Sequence, residues 1–168
     1  MGQIAAPSAA PAAPRRTRWA LVVAAVAGTG HGLFSLYWAV GGTWLVETLG
    51  EDIVETFADQ LWLLLPVGVL KVGFAVLPLL LAESGRPISR VLRIVLWLGA
   101  VTLVVWGGLN TVVAHLVLAG VIQPTGGYDH QGMIGHAWIW DPLFLLWGVA
   151  LVMGLRHPQP LRITPDRQ

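Results

Sequence analysis

The sequence has no cysteine, which excludes disulfide bonding, iron–sulfur ligation, thiol catalysis and cysteine-based zinc sites. Charge is scarce as well: 11% of the 168 residues are Asp, Glu, Lys or Arg, against about 25% in a soluble globular chain. With a hydrophobic fraction of 55% and a mean hydropathy of +0.69, that deficit argues against a soluble domain and for a membrane protein. A net charge of +1 without a clustered basic face gives no case for a nucleic-acid partner. Period-two alternation is missing, so a membrane β-barrel is rejected. No catalytic spacing such as His-Glu-x-x-His or Gly-x-Ser-x-Gly occurs. The length allows one compact unit.

What the chain does have is four apolar stretches, at about 19–40, 61–81, 91–121 and 135–155. A helix crosses the hydrocarbon core, about 30 Å thick, in roughly 20 residues. The third stretch is longer than that and must tilt or project from the bilayer. Four spanning helices with short connections predict an all-α, integral membrane four-helix bundle over 19–156, because helices satisfy their own backbone groups in lipid. Arg15, Arg16 and Arg18 precede the first stretch, Arg86, Arg90 and Arg93 follow the second, and Arg156, Arg162 and Arg167 follow the fourth. Glu47, Glu51, Asp52, Glu55, Asp59 and Asp129 occupy the other two connections, which carry no Lys or Arg. The positive-inside rule then puts both termini in the cytoplasm.

Residues 1–18, rich in Ala and Pro, are expected to form a disordered cytoplasmic tail, and 157–168 a short second one. A cleavable signal peptide is the competing view of the N-terminus, but the apolar run that follows exceeds the 7–15 residues of a signal core. Between the first two stretches, 51–60 places Ile53, Val54, Phe57 and Leu61 on one face. This is either a short amphipathic interfacial helix or the solvated start of the second span.

Ionisable groups inside a span are costly and point to function. Lys71 lies at the middle of the second stretch, where a lysine costs about 2.5–3.5 kcal/mol on insertion scales. It needs an acidic partner, carbonyls, water or the loss of its proton; the structural alternative is a buried ion pair that fixes helix register. Asp141 is the expected counter-ion, with Glu47 as the alternative. Trp140-Asp141-Pro142 also has the form of an N-cap followed by proline at the first helical position. Starting a helix there leaves too little length to cross the core, so the fourth stretch must either enter as a separate turn or bend at Pro142. For Asp141 the plain cap remains open beside the counter-ion role.

His31 sits between Gly28 and Gly32, a pair that allows close helix approach or a homodimer, and shares a stripe with Ser35 and Trp38. A single structural hydrogen bond is its plain alternative. His115 lies on a stripe with Thr111, and His130 and His136 fall in or near an outer connection where solvated histidines are ordinary. Trp106-Gly107-Gly108-Leu109-Asn110-Thr111 interrupts the third stretch with two glycines and an amide, suggesting tight packing or a polar cavity. Trp19, Trp44, Trp62, Trp138 and Trp140 are placed near the interfaces. Trp38 is borderline, and Trp97, Trp106 and Trp147 lie deeper, as pocket walls or as ordinary packing. In depth, His31, Lys71, Asn110, Thr111, His115 and Asp141 fall between the midplane and the outer interface, which predicts an outward-facing polar pocket.

His31 with Tyr37, Trp38, Gly41 and Gly42, Lys71, Trp106-Gly107-Gly108, Trp140-Asp141-Pro142 and Trp147-Gly148 resemble a family of small four-helix bacterial membrane proteins catalogued as domain of unknown function number 3995. The similarity covers about residues 19–156. It implies a multi-pass protein of the bacterial inner membrane and supplies no reaction or ligand.

The expectation is therefore a membrane protein whose pocket, formed by His31, Trp38, Lys71, Trp106, Asn110 and Asp141, binds a small or lipid-like ligand or a partner protein. No catalytic residue, metal site or resident cofactor is assigned. The alternatives are a membrane enzyme acting on a lipid-linked substrate, with Lys71, Asp141 or His31 in acid–base roles, a b-type haem protein ligated by His31 and His115, and a purely structural subunit. No inverted repeat supports transport.

Overall fold

A computed structural model describes residues 15–56 and 58–156 of the chain. Six α-helices follow in order: α1 Arg15–Ala39, α2 Glu51–Thr56, α3 Leu64–Glu83, α4 Arg90–Leu118, α5 His130–Trp138 and α6 Trp140–Leu155. Short 3-10 turns at Val46–Leu49 and Ala58–Leu63 flank α2. Among the described residues there is no strand. Four helical stretches, Arg15–Ala39, Asp59–Glu83, Arg90–Leu118 and His130–Leu155, are long and apolar enough to cross a membrane. The protein is thus all-helical with the features of a multi-pass membrane protein.

Residues 1–14 and 157–168 of the expected tails lie outside the described residues. Arg15–Arg18, placed by sequence in the tail, form the first turn of α1. Of the 51–60 segment, 51–56 is a separate short helix and the second span begins after it; Phe57, part of the expected apolar stripe, lies outside the described residues.

Local sequence sets the helix ends. Gly41 adopts φ +91° just past α1, a conformation that costs a glycine little. Ser89 caps α4, its Oγ accepting from the Leu92 N–H at 3.2 Å. Asp129 caps α5, its Oδ1 accepting from the Gln131 N–H at 2.9 Å. The fourth span is broken at Ile139 (φ −121°, ψ −71°), where α5 stops and α6 starts.

The helices pack in the order α3–α1–α6–α4, with α3 against α1, α1 against α6 and α6 against α4. The backbones of the two flanking helices, α3 and α4, stay apart, and Phe74 of α3 reaches across to pack over Gly99 of α4. Accordingly 44% of the apolar windows of the first and fourth spans is buried, against 17% for the second and third; Leu70, Leu80, Leu98, Val105 and Leu109 of the flanking helices remain exposed. A soluble chain does not leave that much contiguous apolar surface open. Because lipid is as apolar as leucine, close packing of small residues holds such a bundle together. A Cβ on Gly32 would meet Val72 Cγ2 at 2.7 Å, and one on Gly68 would stand 2.9 Å from the Gly32 carbonyl, so α1 and α3 nearly touch backbones. Gly107 does the same between α4 and α6, where a Cβ would come within 2.6 Å of the Asp141 carbonyl and the Leu145 nitrogen. Gly28 faces Trp147 and Ala75, so the Gly28/Gly32 face is occupied within the chain.

The end of the bundle where 15, 83, 90 and 156 lie is the basic end, and the other is the acidic end. Toward the basic end the core is largely apolar, built from Leu21, Ala24, Leu96, Ala100, Leu151 and Leu155, with the Thr17 hydroxyl buried at the start of α1. Toward the acidic end it is not.

Candidate functional site

Lys71 projects from α3 into the acidic-end half of the bundle, where α1 and α6 surround its ammonium. Nζ lies 3.0 Å from Ser35 Oγ and 3.3 Å from His31 Nδ1. Ser35 Oγ accepts from the lysine and in turn donates to the His31 carbonyl at 3.4 Å. With the ammonium as donor, His31 Nδ1 accepts, so the neutral ring carries its proton on Nε2. That Nε2 is buried and has no hydrogen-bond partner. The imidazole, 5% exposed, stacks on Phe144 with ring centroids 3.9 Å apart and lies 5.7 Å from Trp140. Lys71 Nζ sits 5.4 Å from the centre of the same Phe144 ring, within cation–π range. The Trp147 ring lies nearly parallel to Phe144 at 6.4 Å, and its buried Nε1–H also lacks a partner.

A second polar pair stands at the break in the fourth span. His136 Nδ1–H donates to Asp141 Oδ2 at 2.6 Å. Asp141 is 1% exposed, while 32% of the His136 side chain remains accessible. The break at Ile139 makes this possible: in a continuous helix positions i and i+5 diverge, whereas here the two strokes of the chain fold their side chains together.

Toward the acidic end the cluster is covered. Trp140 Nε1–H donates to Thr48 Oγ1 at 2.9 Å and to its carbonyl at 3.2 Å. A Cβ on Gly135 would collide with the Thr48 carbonyl, so glycine lets the Val46–Leu49 turn dip onto α5. Trp38, 1% exposed, packs edge-on to Trp140 at 4.9 Å and donates to the Trp44 carbonyl at 3.0 Å. Asp129 clasps this cover from outside. Its Oδ2 accepts from the Glu51 N–H at 2.8 Å, and this bond, followed by those from Gly132 and Gln131, holds its carboxyl below the usual carboxylate value.

The expected residues divide as follows. His31, Trp38 and Lys71 converge on Phe144 and Trp140, while Asp141 pairs with His136 at the break in the fourth span. Asp141, however, is not the counter-ion of Lys71: it pairs with His136, and among the described residues no carboxylate lies within ion-pair distance of the lysine. Nor is Asp141 the N-cap, since α6 begins at Trp140 and its cap position, Ile139, makes no side-chain bond. Trp106 is 61% exposed, pointing away from α6, because Gly107 beside it takes the contact face and a helix turns about 100° per residue. Asn110 is half-buried and makes no hydrogen bond within the cluster. Trp140, placed by sequence in the interfacial belt, is buried at the heart of the site.

His115 does not join His31. Its Nδ1–H donates to the Thr111 carbonyl of its own helix at 2.7 Å, and its ring meets Trp138 at 4.6 Å. Among the described residues no group of three or more His, Asp or Glu side chains is disposed to hold a metal ion. His136 and Phe144 join the site without a pattern in the local sequence that marks either as a site residue. The indirect signal for His136 is the helix-start pattern at 140–142: a break there brings the preceding turn back onto Asp141.

The family model described as "Protein of unknown function (DUF3995)" matches residues 28–151, and the chain belongs to that family. Searches of the curated proteins and of the solved structures found no match.

Proposed function

We propose that the protein resides in the bacterial inner membrane with both termini cytoplasmic and binds a small or lipid-like ligand through the pocket side chains around Lys71. The observation that carries this is an excess of donors over acceptors. An ammonium has three N–H donors, and here it has two neighbours, neither of them charged oppositely. His31 Nε2 and Trp147 Nε1 add two buried nitrogens with no partner. Leaving such groups unmet costs about 1–3 kcal/mol each, so an acceptor-rich ligand, an anionic or carbonyl-bearing group on an apolar body, is the occupant that suits them. Phe144, Trp140 and Trp38 supply the apolar walls, and the Val46–Leu49 turn is the cover. A membrane partner protein offering the same acceptor chemistry is the other form such an occupant takes.

Native mass spectrometry of protein extracted in mild detergent tests this. The wild type should retain an adduct that Lys71→Met loses while still inserting in the membrane. A clean apo mass for the wild type, or an adduct indifferent to Lys71→Met, contradicts the proposal.

One observation favours a second function, an enzyme acting on a lipid-linked substrate. A partly accessible histidine oriented by a buried carboxylate has the form of a general base, with Nε2 as the proton acceptor. Turnover of a lipid-linked substrate that falls steeply in both His136→Gln and Asp141→Asn would establish it; unchanged turnover in both would end it.

A further inference from the structure

The basic end of the bundle carries a different feature. Arg90, Arg93, Ile94, Trp97 and Leu98 line an open groove of about 400 Å³ along the first turns of α4. Arg90, Ile94, Trp97 and Leu98 recur at i, i+4, i+7 and i+8, so the groove runs along one helix face. Its wall is almost wholly apolar, with Arg90 and Arg93 contributing their methylene stems and their charged heads lying outside that wall. Helix α4 has 29 residues, about 43 Å at 1.5 Å per residue, against a hydrocarbon core of about 30 Å. The helix is thus long enough for its charged first turn to stand at headgroup depth, with Ile94 and Leu98 one and two turns further in, beside acyl chains.

The charges at this end are unbalanced. Glu83 is the one carboxylate the described residues place here, and Arg18 occupies it at 2.6 Å. Arg90 has no hydrogen-bond or ion-pair partner among the described residues. Arg93 donates one N–H to the Leu155 carbonyl at 3.0 Å, which pins the side chain over the end of α6 and leaves the rest of its five-donor fork available. No acidic residue stands in the first turn of α4. Two guanidinium groups at the edge of an apolar groove suit a phosphate diester electrostatically. The apolar floor beneath them is superfluous for a free anion and suited to an acyl chain.

We infer that the Arg90–Arg93 groove binds an anionic phospholipid, the phosphate on the two arginines and an acyl chain along Ile94, Trp97 and Leu98. The site is separate from the Lys71 cluster and does not depend on what that cluster binds. Basic pockets of this kind at the ends of spans are where anionic headgroups are held.

The test uses the full chain, delipidated in detergent and titrated with phosphatidylglycerol or phosphatidylcholine of identical acyl chains, with bound lipid counted by native mass spectrometry. Phosphatidylglycerol should bind at least about tenfold more tightly than phosphatidylcholine, and millimolar inorganic phosphate should not displace it. Binding should weaken by about fivefold in Arg90→Gln and further in Arg90→Gln/Arg93→Gln. Arg86→Gln removes the same charge at the same end but outside the groove, and should change affinity by less than about twofold. If the double variant does not fold, Arg90→Gln alone decides, since Arg90 has no partner to lose among the described residues. Equal binding of the two lipids, displacement by phosphate, full affinity in Arg90→Gln, or equal loss in Arg86→Gln each overturns the inference.

Discussion

The two halves of this bundle are built from the same four spans but solve different problems. Toward the basic end Leu21, Ala24, Leu96, Ala100, Leu151 and Leu155 pack as an apolar core, and among the described residues the buried polar side chain at that end is the neutral hydroxyl of Thr17. Toward the acidic end, in the same layer of helices, stand His31, Ser35, Lys71, His136 and Asp141, with unpartnered nitrogens on His31 and Trp147. The first half carries what a membrane bundle needs to hold together, small residues and close contacts. The second carries groups that lower stability and are retained only where something else depends on them. A fold seldom keeps a lysine between a histidine and a serine for packing alone, since an apolar side chain of similar volume does that more cheaply.

That contrast can be broken most sharply by large changes at matched positions. Trp147→Ala, in the buried core, should cost about 3–5 kcal/mol, whereas Trp106→Ala, on the exposed face of the next helix, should cost a small fraction of that; thermal unfolding in one detergent compares them. A similar loss for both would mean that Trp106 is not lipid-facing. Gly107→Val should lower stability by about 3 kcal/mol through overpacking against the α6 backbone. Gly30→Ala, with open space around its Cβ position, should be neutral or stabilising by about 0.5–1 kcal/mol.

Lys71→Met sharpens the comparison in the opposite direction. Removing the one charge inside the second span should make the protein more stable by about 2 kcal/mol and, under the proposed function, abolish ligand binding. A destabilised Lys71→Met would instead assign the lysine a structural role. The smallest effect concerns Asp129. Its carboxyl is held below the ordinary value near 3.8 by the Glu51, Gly132 and Gln131 amides. The folded value is the lower one, so the stability it contributes is present above the unfolded value and is lost as pH falls through the folded one. Hydrogen exchange at the Glu51 amide should therefore be protected at neutral pH, deprotected in strong acid, and unprotected throughout in Asp129→Ala. Orientation can be read separately, because the chain lacks cysteine: Ser84→Cys should react with a membrane-impermeant thiol reagent only from the cytoplasmic side, and Gln123→Cys only from outside.

Much of the fold is legible in the sequence for a physical reason. Lipid demands long apolar helices, so their number and approximate bounds follow from composition alone. Register is another matter. His31, Ser35 and Trp38 form a stripe that spacing reveals, but which residue of α3 faces it depends on the backbone approach at Gly32 and Gly68, a tertiary contact. Trp106 was misplaced because a motif read along the chain ignores rotation: its neighbour Gly107 faces α6, and Trp106 therefore cannot. The break in the fourth span was foreseen near Asp141-Pro142 and falls at Ile139. That small shift changes the chemistry, turning Asp141 from a cap and counter-ion into the partner of His136. The cover formed by Thr48 over Trp140 joins positions 92 residues apart, and no local pattern encodes such a contact.

Lys71 is the single lysine in the sequence, so nitrogen-15 lysine labelling gives one side-chain ammonium resonance that reports on the site alone. The central claim is tested by comparing that resonance in protein extracted gently from membranes with the same protein after stripping of bound small molecules. A bound acceptor-rich ligand predicts a shift on stripping that reverses when the extracted material is returned. An identical resonance in both preparations would contradict the account and leave Lys71 as a residue satisfied by His31 and Ser35 alone.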